Sequence, residues 1–196
     1  MNKKDLGLSF VIGIVAGLLL AFITYHFKGG LTLPQSVIAF LGLVIITPAG
    51  YSIGYLLSRR MPAILQFVKY AEVGGLNFLI DLGVLNILMA WQNAYSGPLY
   101  SVFKGTSFLV AVTNSYFWNK YWAFRSMGSV KGEMLKFFLV NIVGFSINVG
   151  VASFAVFAGP PDFISVEKWA NLAAVFGSLV ALTWNFIGIK FIVFKK

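Results

Sequence analysis

The sequence predicts an all-α integral membrane protein of six transmembrane helices, an N-terminal helix hairpin followed by two parallel two-helix repeats. Three observations carry that prediction. The 196-residue chain is 59% hydrophobic and only 11% charged, with a mean hydropathy of +0.84, well outside the range of water-soluble domains. Six apolar stretches are each long enough to cross about 30 Å of hydrocarbon as a helix. Two segments of the chain beyond residue 60 can also be laid on one another without a gap.

The stretches run Leu6 to Phe27, Gln35 to Leu57, Tyr70 to Trp91, Leu99 to Asn119, Phe137 to Ala158 and Trp169 to Ile189. Lys3 and Lys4 precede the first, but its apolar run is too long for a cleavable signal and Tyr25-His-Phe-Lys-Gly29 offers no small-x-small cleavage pattern, so it is read as a retained helix. Gly13 and Gly17 in the first span, and Gly50 and Gly54 in the second, each place two glycines on one helix face, where a neighbouring backbone can approach. Pro62 suits a first helical turn, and Ala63 to Val68 reads as an interfacial lead-in to the third span. Asn93 to Pro98 and Gly159 to Asp162 mark outer turns, and Ser126 to Gly132 links the repeats on the cytoplasmic side.

In the repeats, Ala111 aligns with Ala181, Thr113 with Thr183, Lys120 with Lys190, Phe124 with Phe194 and Arg125 with Lys195. Upstream, Lys69 meets Lys136, Val73 meets Val140, Phe78 meets Phe145, Ile80 meets Ile147 and Gly83 meets Gly150. Residues 67–125 and 134–195 are therefore two copies of one two-span unit. An even number of spans per copy makes the repeat parallel. The domain reading is an accessory hairpin over 1–60 and a four-helix domain over 61–196.

Net charge is +9, and its distribution reads as topology. With the N-terminus inside, Lys3, Lys4, Arg59, Arg60, Lys69, Lys120, Arg125, Lys131, Lys136, Lys190, Lys195 and Lys196 lie on the cytoplasmic side, against Lys28, Lys104 and Lys168 outside. That bias places both termini in the cytoplasm of a cell (cytoplasmic) membrane protein. Anionic lipid headgroups, not nucleic acid, are the partner the basic balance implies. With no Cys and a single His, His26, a thiolate or His-rich metal centre is excluded, and no metal or cofactor is expected. Phosphate loops, nucleophile–His pairs and glycosidase-type carboxylate pairs are missing too, Asp162 and Glu167 sharing a short outer loop with Lys168, so no enzymatic activity is expected.

Two sets of residues are candidates for function. Asp81 lies twelve residues beyond Lys69, about 18 Å along a helix and so near the bilayer midplane, where a carboxylate must face protein or water. Gly74, Asn77 and Asp81 share a face, repeated by Asn141, Gly144 and Asn148, with Thr113, Asn114, Thr183 and Asn185 available as hydrogen-bonding partners. That stripe is either a polar path through the membrane or an interhelical network that fixes packing. At the cytoplasmic ends Lys69, Lys120, Arg125, Lys136, Lys190 and Lys195 are interleaved with Trp118, Tyr121, Trp122 and Phe194. Cations from different helices can hold a lipid phosphate beside aromatic rings, although positive-inside charge and an aromatic belt produce a similar pattern.

Phe67-Val-Lys-Tyr-Ala-Glu-Val-Gly74, Asn114 to Arg125, Lys136-Phe-Phe-Leu-Val140 and Asn185 to Phe194, in that order, resemble the GtrA-like family, which includes the transmembrane region of some dolichol-phosphate mannose synthases. The resemblance covers about two thirds of the chain. It implies translocation of a polyprenyl-phosphate-linked sugar, as a flippase in cell-envelope polysaccharide synthesis, and partnership with a membrane glycosyltransferase. The competing readings are a non-transporting scaffold for such a transferase and a proton-coupled exporter using Asp81. The helix pair before residue 60 departs from the family's four-span core, and in the second copy Asn141 and Gly188 stand where the first has Gly74 and Trp118. Both a monomer and a homodimer fit the sequence.

Overall fold

The computed structural model describes residues 2–26, 31–92, 97–161, 163 and 166–195. Among these there are six α-helices and no strand. Helix α1 spans Lys3–His26, α2 Leu33–Leu57, α3 Pro62–Gln92, α4 Gly97–Trp118, α5 Val130–Ala158 and α6 Val166–Gly188. The chain divides into two compact units, Met1–Arg125 and Ser126–Lys196, so the N-terminal hairpin shares a unit with α3 and α4. Lys28, Asp162 and the outer turn at 93–96 lie outside the described residues, as do the side chains of Glu167 and Lys168.

Five helical segments are long and apolar enough to cross a membrane: Lys3–Tyr25, Leu33–Leu57, Pro62–Gln92, Val130–Ala158 and Val175–Val193. Helix α4 is long enough at 22 residues, but it is not among the five. Lys104, Thr106, Ser107, Thr113, Asn114 and Ser115 make it too polar by composition. The expected interfacial lead-in before the third span is instead continuous with it, because Pro62 opens α3 and nothing between Ala63 and Tyr70 breaks the helix. Large apolar side chains such as Ile45, Ile46, Phe78, Phe145 and Phe154 are well exposed, as lipid-facing surfaces require.

In the first unit, α1 and α2 form an antiparallel hairpin against α3. Ile12, Ala16, Tyr51, Val73, Leu76, Leu79 and Trp122 make the shared core. The glycine pairs divide their work. A Cβ on Gly13 would lie 2.8 Å from the Leu43 carbonyl oxygen, and one on Gly17 would lie 2.8 Å from Phe40 Cδ2 and 2.9 Å from its carbonyl oxygen, so both seat α1 on α2. Gly54 faces α3, its Cβ position 2.7 Å from Val68 Cγ2, whereas Gly50 faces open space. Gly17→Ala should therefore destabilise by about 1–3 kcal/mol through backbone overpacking. A thermal-unfolding midpoint in detergent reads this, with Gly42→Ala, whose Cβ meets nothing within 4 Å, as a control whose midpoint does not fall.

The second unit is an α5–α6 pair. The Cβ positions of Gly144, Gly177 and Gly188 meet Asn185, Asn148 and Val140 respectively, so close helix approach again rests on glycine. Trp184 Nε1 donates to the Val140 carbonyl at 3.3 Å and Trp169 Nε1 to the Ala155 carbonyl at 2.8 Å. Gly159, at φ +84°, ends α5 in a backbone conformation that a side chain would strain.

Candidate functional site

Helices α4 and α6 end alike. Each passes into a five-residue π-helical turn, Asn119–Ala123 after α4 and Ile189–Val193 after α6. Each turn is closed by a 2.9 Å bond, from Phe124 N–H to the Asn119 carbonyl and from Phe194 N–H to the Ile189 carbonyl. A π-turn holds one extra residue per turn and re-aims the side chains that follow, which is why such turns gather at functional positions. The second residue of each is lysine. Lys120 is 2% exposed with Nζ 5.8 Å from the Tyr121 ring centroid. The half-buried Lys190 has its Nζ 5.4 Å and 5.7 Å from the rings of Phe191 and Phe186.

The remaining cations fall into different surroundings. Lys69 is buried, and its ammonium donates to Asp5 Oδ2 at 2.7 Å while lying 5.3 Å from the Trp122 ring and 5.9 Å from the Tyr51 ring. Arg125 converges on the same carboxylate, one terminal nitrogen lying 2.8 Å from each Asp5 oxygen. Its backbone is in the left-handed region at φ 52°, a conformation costing a side-chain-bearing residue about 1–2 kcal/mol, and this reversal after the π-turn carries the guanidinium back to Asp5. Lys136 and Lys195 are exposed in the second unit. The sequence placed all six cations together as phosphate ligands; two of them are a clamp on the N-terminal helix.

The aromatic candidates are structural as well as exposed. Trp118 packs edge-on to Trp122, centroids 5.9 Å apart, and Trp122 lies within the core of the first unit. Tyr121 is exposed and stacks on Phe117 at 6.2 Å, and Phe194 is buried against Phe137 at 6.3 Å.

The polar stripes find partners inside their own units. Asn77 Oδ1 accepts from Asn114 Nδ2 at 2.8 Å, tying α3 to α4. Further along α3, the Asp81 carboxylate accepts from the Ser107 hydroxyl at 2.6 Å and from the Lys104 ammonium. Lys104, which charge counting assigns to the outer side, thus belongs to α4 and to Asp81. In the second unit Asn148 Nδ2 donates to Ser178 Oγ at 3.2 Å, and Asn185 Oδ1 is buried with no hydrogen-bond partner against the Gly144 backbone. Asn141 and Thr183 bond back to the Phe137 and Leu179 carbonyls of their own helices, and Thr113 is half-buried on α4.

Two acidic residues that sequence reasoning passed over sit at the centre of the first unit. Asp5 falls just before the first apolar stretch and has no role in the sequence reading, and Glu72 enters it only as part of a motif. Ser9 Oγ donates to Glu72 Oε2 at 2.7 Å, and Glu72 Oε1 is buried without a partner. The available signal was scarcity. The chain has six acidic residues against fifteen basic ones, so an acid beside a span and a turn of helix from a lysine is a candidate ion-pair partner.

The fold and these helix ends define an all-helical, multi-pass membrane protein with basic, aromatic termini on its paired helices. Residues 69–194 match the family described as GtrA/DPMS, transmembrane domain, and the chain belongs to that family. It is also similar to the uncharacterized membrane protein YngA of Bacillus subtilis (strain 168), with 29% identity over 127 residues that cover 64% of this chain and 77% of that protein.

Proposed function

We propose that the chain translocates a polyprenyl-phosphate-linked sugar across the cytoplasmic membrane, with both termini in the cytoplasm and six spans. The family supports this reading, and the paired π-turns are the observation that carries it. A lysine in each turn, set beside aromatic rings, is suited to a lipid phosphodiester at the membrane surface. Lys120 and Lys190, the matching lysines of the two π-turns, are the principal phosphate ligands, with Lys136 and Lys195 as peripheral attraction, whereas Lys69 and Arg125 are engaged by Asp5. In the first unit the sugar passes along the polar residues Asn77 and Asp81, with Asn148 on the equivalent stripe of the second, while the prenyl tail stays in lipid. The matching helix ends support the reading of two parallel repeats.

The test is leaflet translocation in proteoliposomes containing polyprenyl-phosphate glucose or another lipid-linked sugar, read by exposure of the sugar to an external probe. Wild type should expose the sugar, and Lys120→Ala or Lys190→Ala should slow this about tenfold or more, the loss of one charge-assisted hydrogen bond. Well-folded wild type that moves none of several lipid-linked sugars would replace this reading with a scaffold for a glycosyltransferase.

A further inference from the structure

Around the Lys69 ammonium the first unit holds more polar chemistry than its ion pairs use. Tyr51 is wholly buried, yet its hydroxyl has no hydrogen-bond partner, and the same is true of the Trp122 indole N–H and of Glu72 Oε1. The Tyr51 phenol lies within electrostatic reach of Asp5, Glu72 and Arg125, and its ring and that of Trp122 both sit within 5.9 Å of Lys69 Nζ, so these groups surround one place. Leaving one buried polar atom unpaired costs about 1–3 kcal/mol, and three around one ammonium is an expensive way to build a helix interface.

Their chemistry selects the class of ligand. A bare phosphate wants donors only, and a metal ion wants acceptors only and would meet the Lys69 ammonium. Here an indole N–H donates, a carboxylate accepts, a phenol does either, and two aromatic faces stand beside them. That mixture suits a neutral polyhydroxyl ring, whose hydroxyls both give and take hydrogen bonds and whose C–H faces lie on aromatic rings. We infer that this cluster of α1, α2, α3 and the first π-turn binds the sugar headgroup of the transported lipid and sets which sugar is accepted. The inference rests on the proposed function. It gives the N-terminal hairpin a task, since Asp5, Ser9 and Tyr51 lie before the family-matched segment, which starts at Lys69. Buried polar groups that await a hydroxyl reject a ligand lacking it, which is how such a site discriminates.

The experiment measures binding of the purified full chain to bare polyprenyl phosphate and to its glucose, galactose, mannose and arabinose forms. At least one sugar-bearing form should bind about tenfold more tightly than the bare lipid, the worth of one to two good hydrogen bonds. Tyr51→Phe and Glu72→Gln, both conserving volume, should erase that gain while leaving affinity for the bare lipid unchanged. Tyr51→Phe removes one buried, unpaired oxygen, so it keeps the test valid if Glu72→Gln fails to fold. Equal binding of all five lipids by wild type, or a sugar preference that survives in folded Tyr51→Phe, overturns the inference and leaves these atoms to internal water. Neither result touches the lipid-phosphate reading, which fails separately if bare polyprenyl phosphate does not bind at all.

Discussion

Asp5→Ala should destabilise the protein by about 3–5 kcal/mol, the cost of leaving a buried charge without its partner. Asp5 and Lys69 side chains are 7% and 5% exposed and meet at 2.7 Å, so without the carboxylate the Lys69 ammonium remains among Tyr51, Trp122 and the apolar core. Arg125, half exposed, loses the same partner and with it the contact that offsets its left-handed backbone. Thermal unfolding in detergent should show the drop, and Asp5→Ala/Lys69→Met should recover most of it, because removing both buried charges costs far less than removing one. Asp5→Ala within about 0.5 kcal/mol of wild type, the range of an ordinary surface substitution, would mean that the ion pair does not hold the hairpin.

Hydropathy made the apolar helices legible because a lipid-facing helix carries its signal in every turn. Five segments have both the length and the apolarity that the sequence expects, and α4 and α6, whose C-terminal stretches the gapless alignment pairs, end in the same local geometry. The π-turn itself was not legible. Inserting one residue into a helical turn changes a hydrogen-bond register, and side-chain periodicity over five residues is too short to record it. Nor could the sequence tell which cations were free. Lys69 and Lys136 align as repeat equivalents, yet Lys69 is buried on Asp5 and Lys136 is exposed. The difference comes from the N-terminal hairpin, sixty residues away in the chain and unique to one copy. Long-range contacts of this kind leave only compositional traces.

The same limitation shaped the reading of Asp81, which the sequence set at the membrane midplane without its partner. Lys104 supplies it from α4, and together with Ser107 it pairs the Asp81 carboxylate at the α3–α4 contact. The consequence is a prediction about topology. If α3 and α4 both cross, Met61 and Met127, exposed at the start of α3 and after the first π-turn, lie on the same side of the membrane. The chain has no native cysteine, so Met61→Cys and Met127→Cys can each be labelled alone by an impermeant maleimide in sealed vesicles. Both should react from the same side. Asp81→Leu leaves the Lys104 ammonium unpaired, at about 2.5–3.5 kcal/mol, or roughly a hundredfold in the balance between inserted and uninserted α4. Labelling at Met127→Cys should then become two-sided while Met61→Cys is unchanged, and adding Lys104→Leu should restore a single side. Opposite-side labelling in wild type would remove α4 from the membrane, and with it the polar route past Asn77 and Asp81.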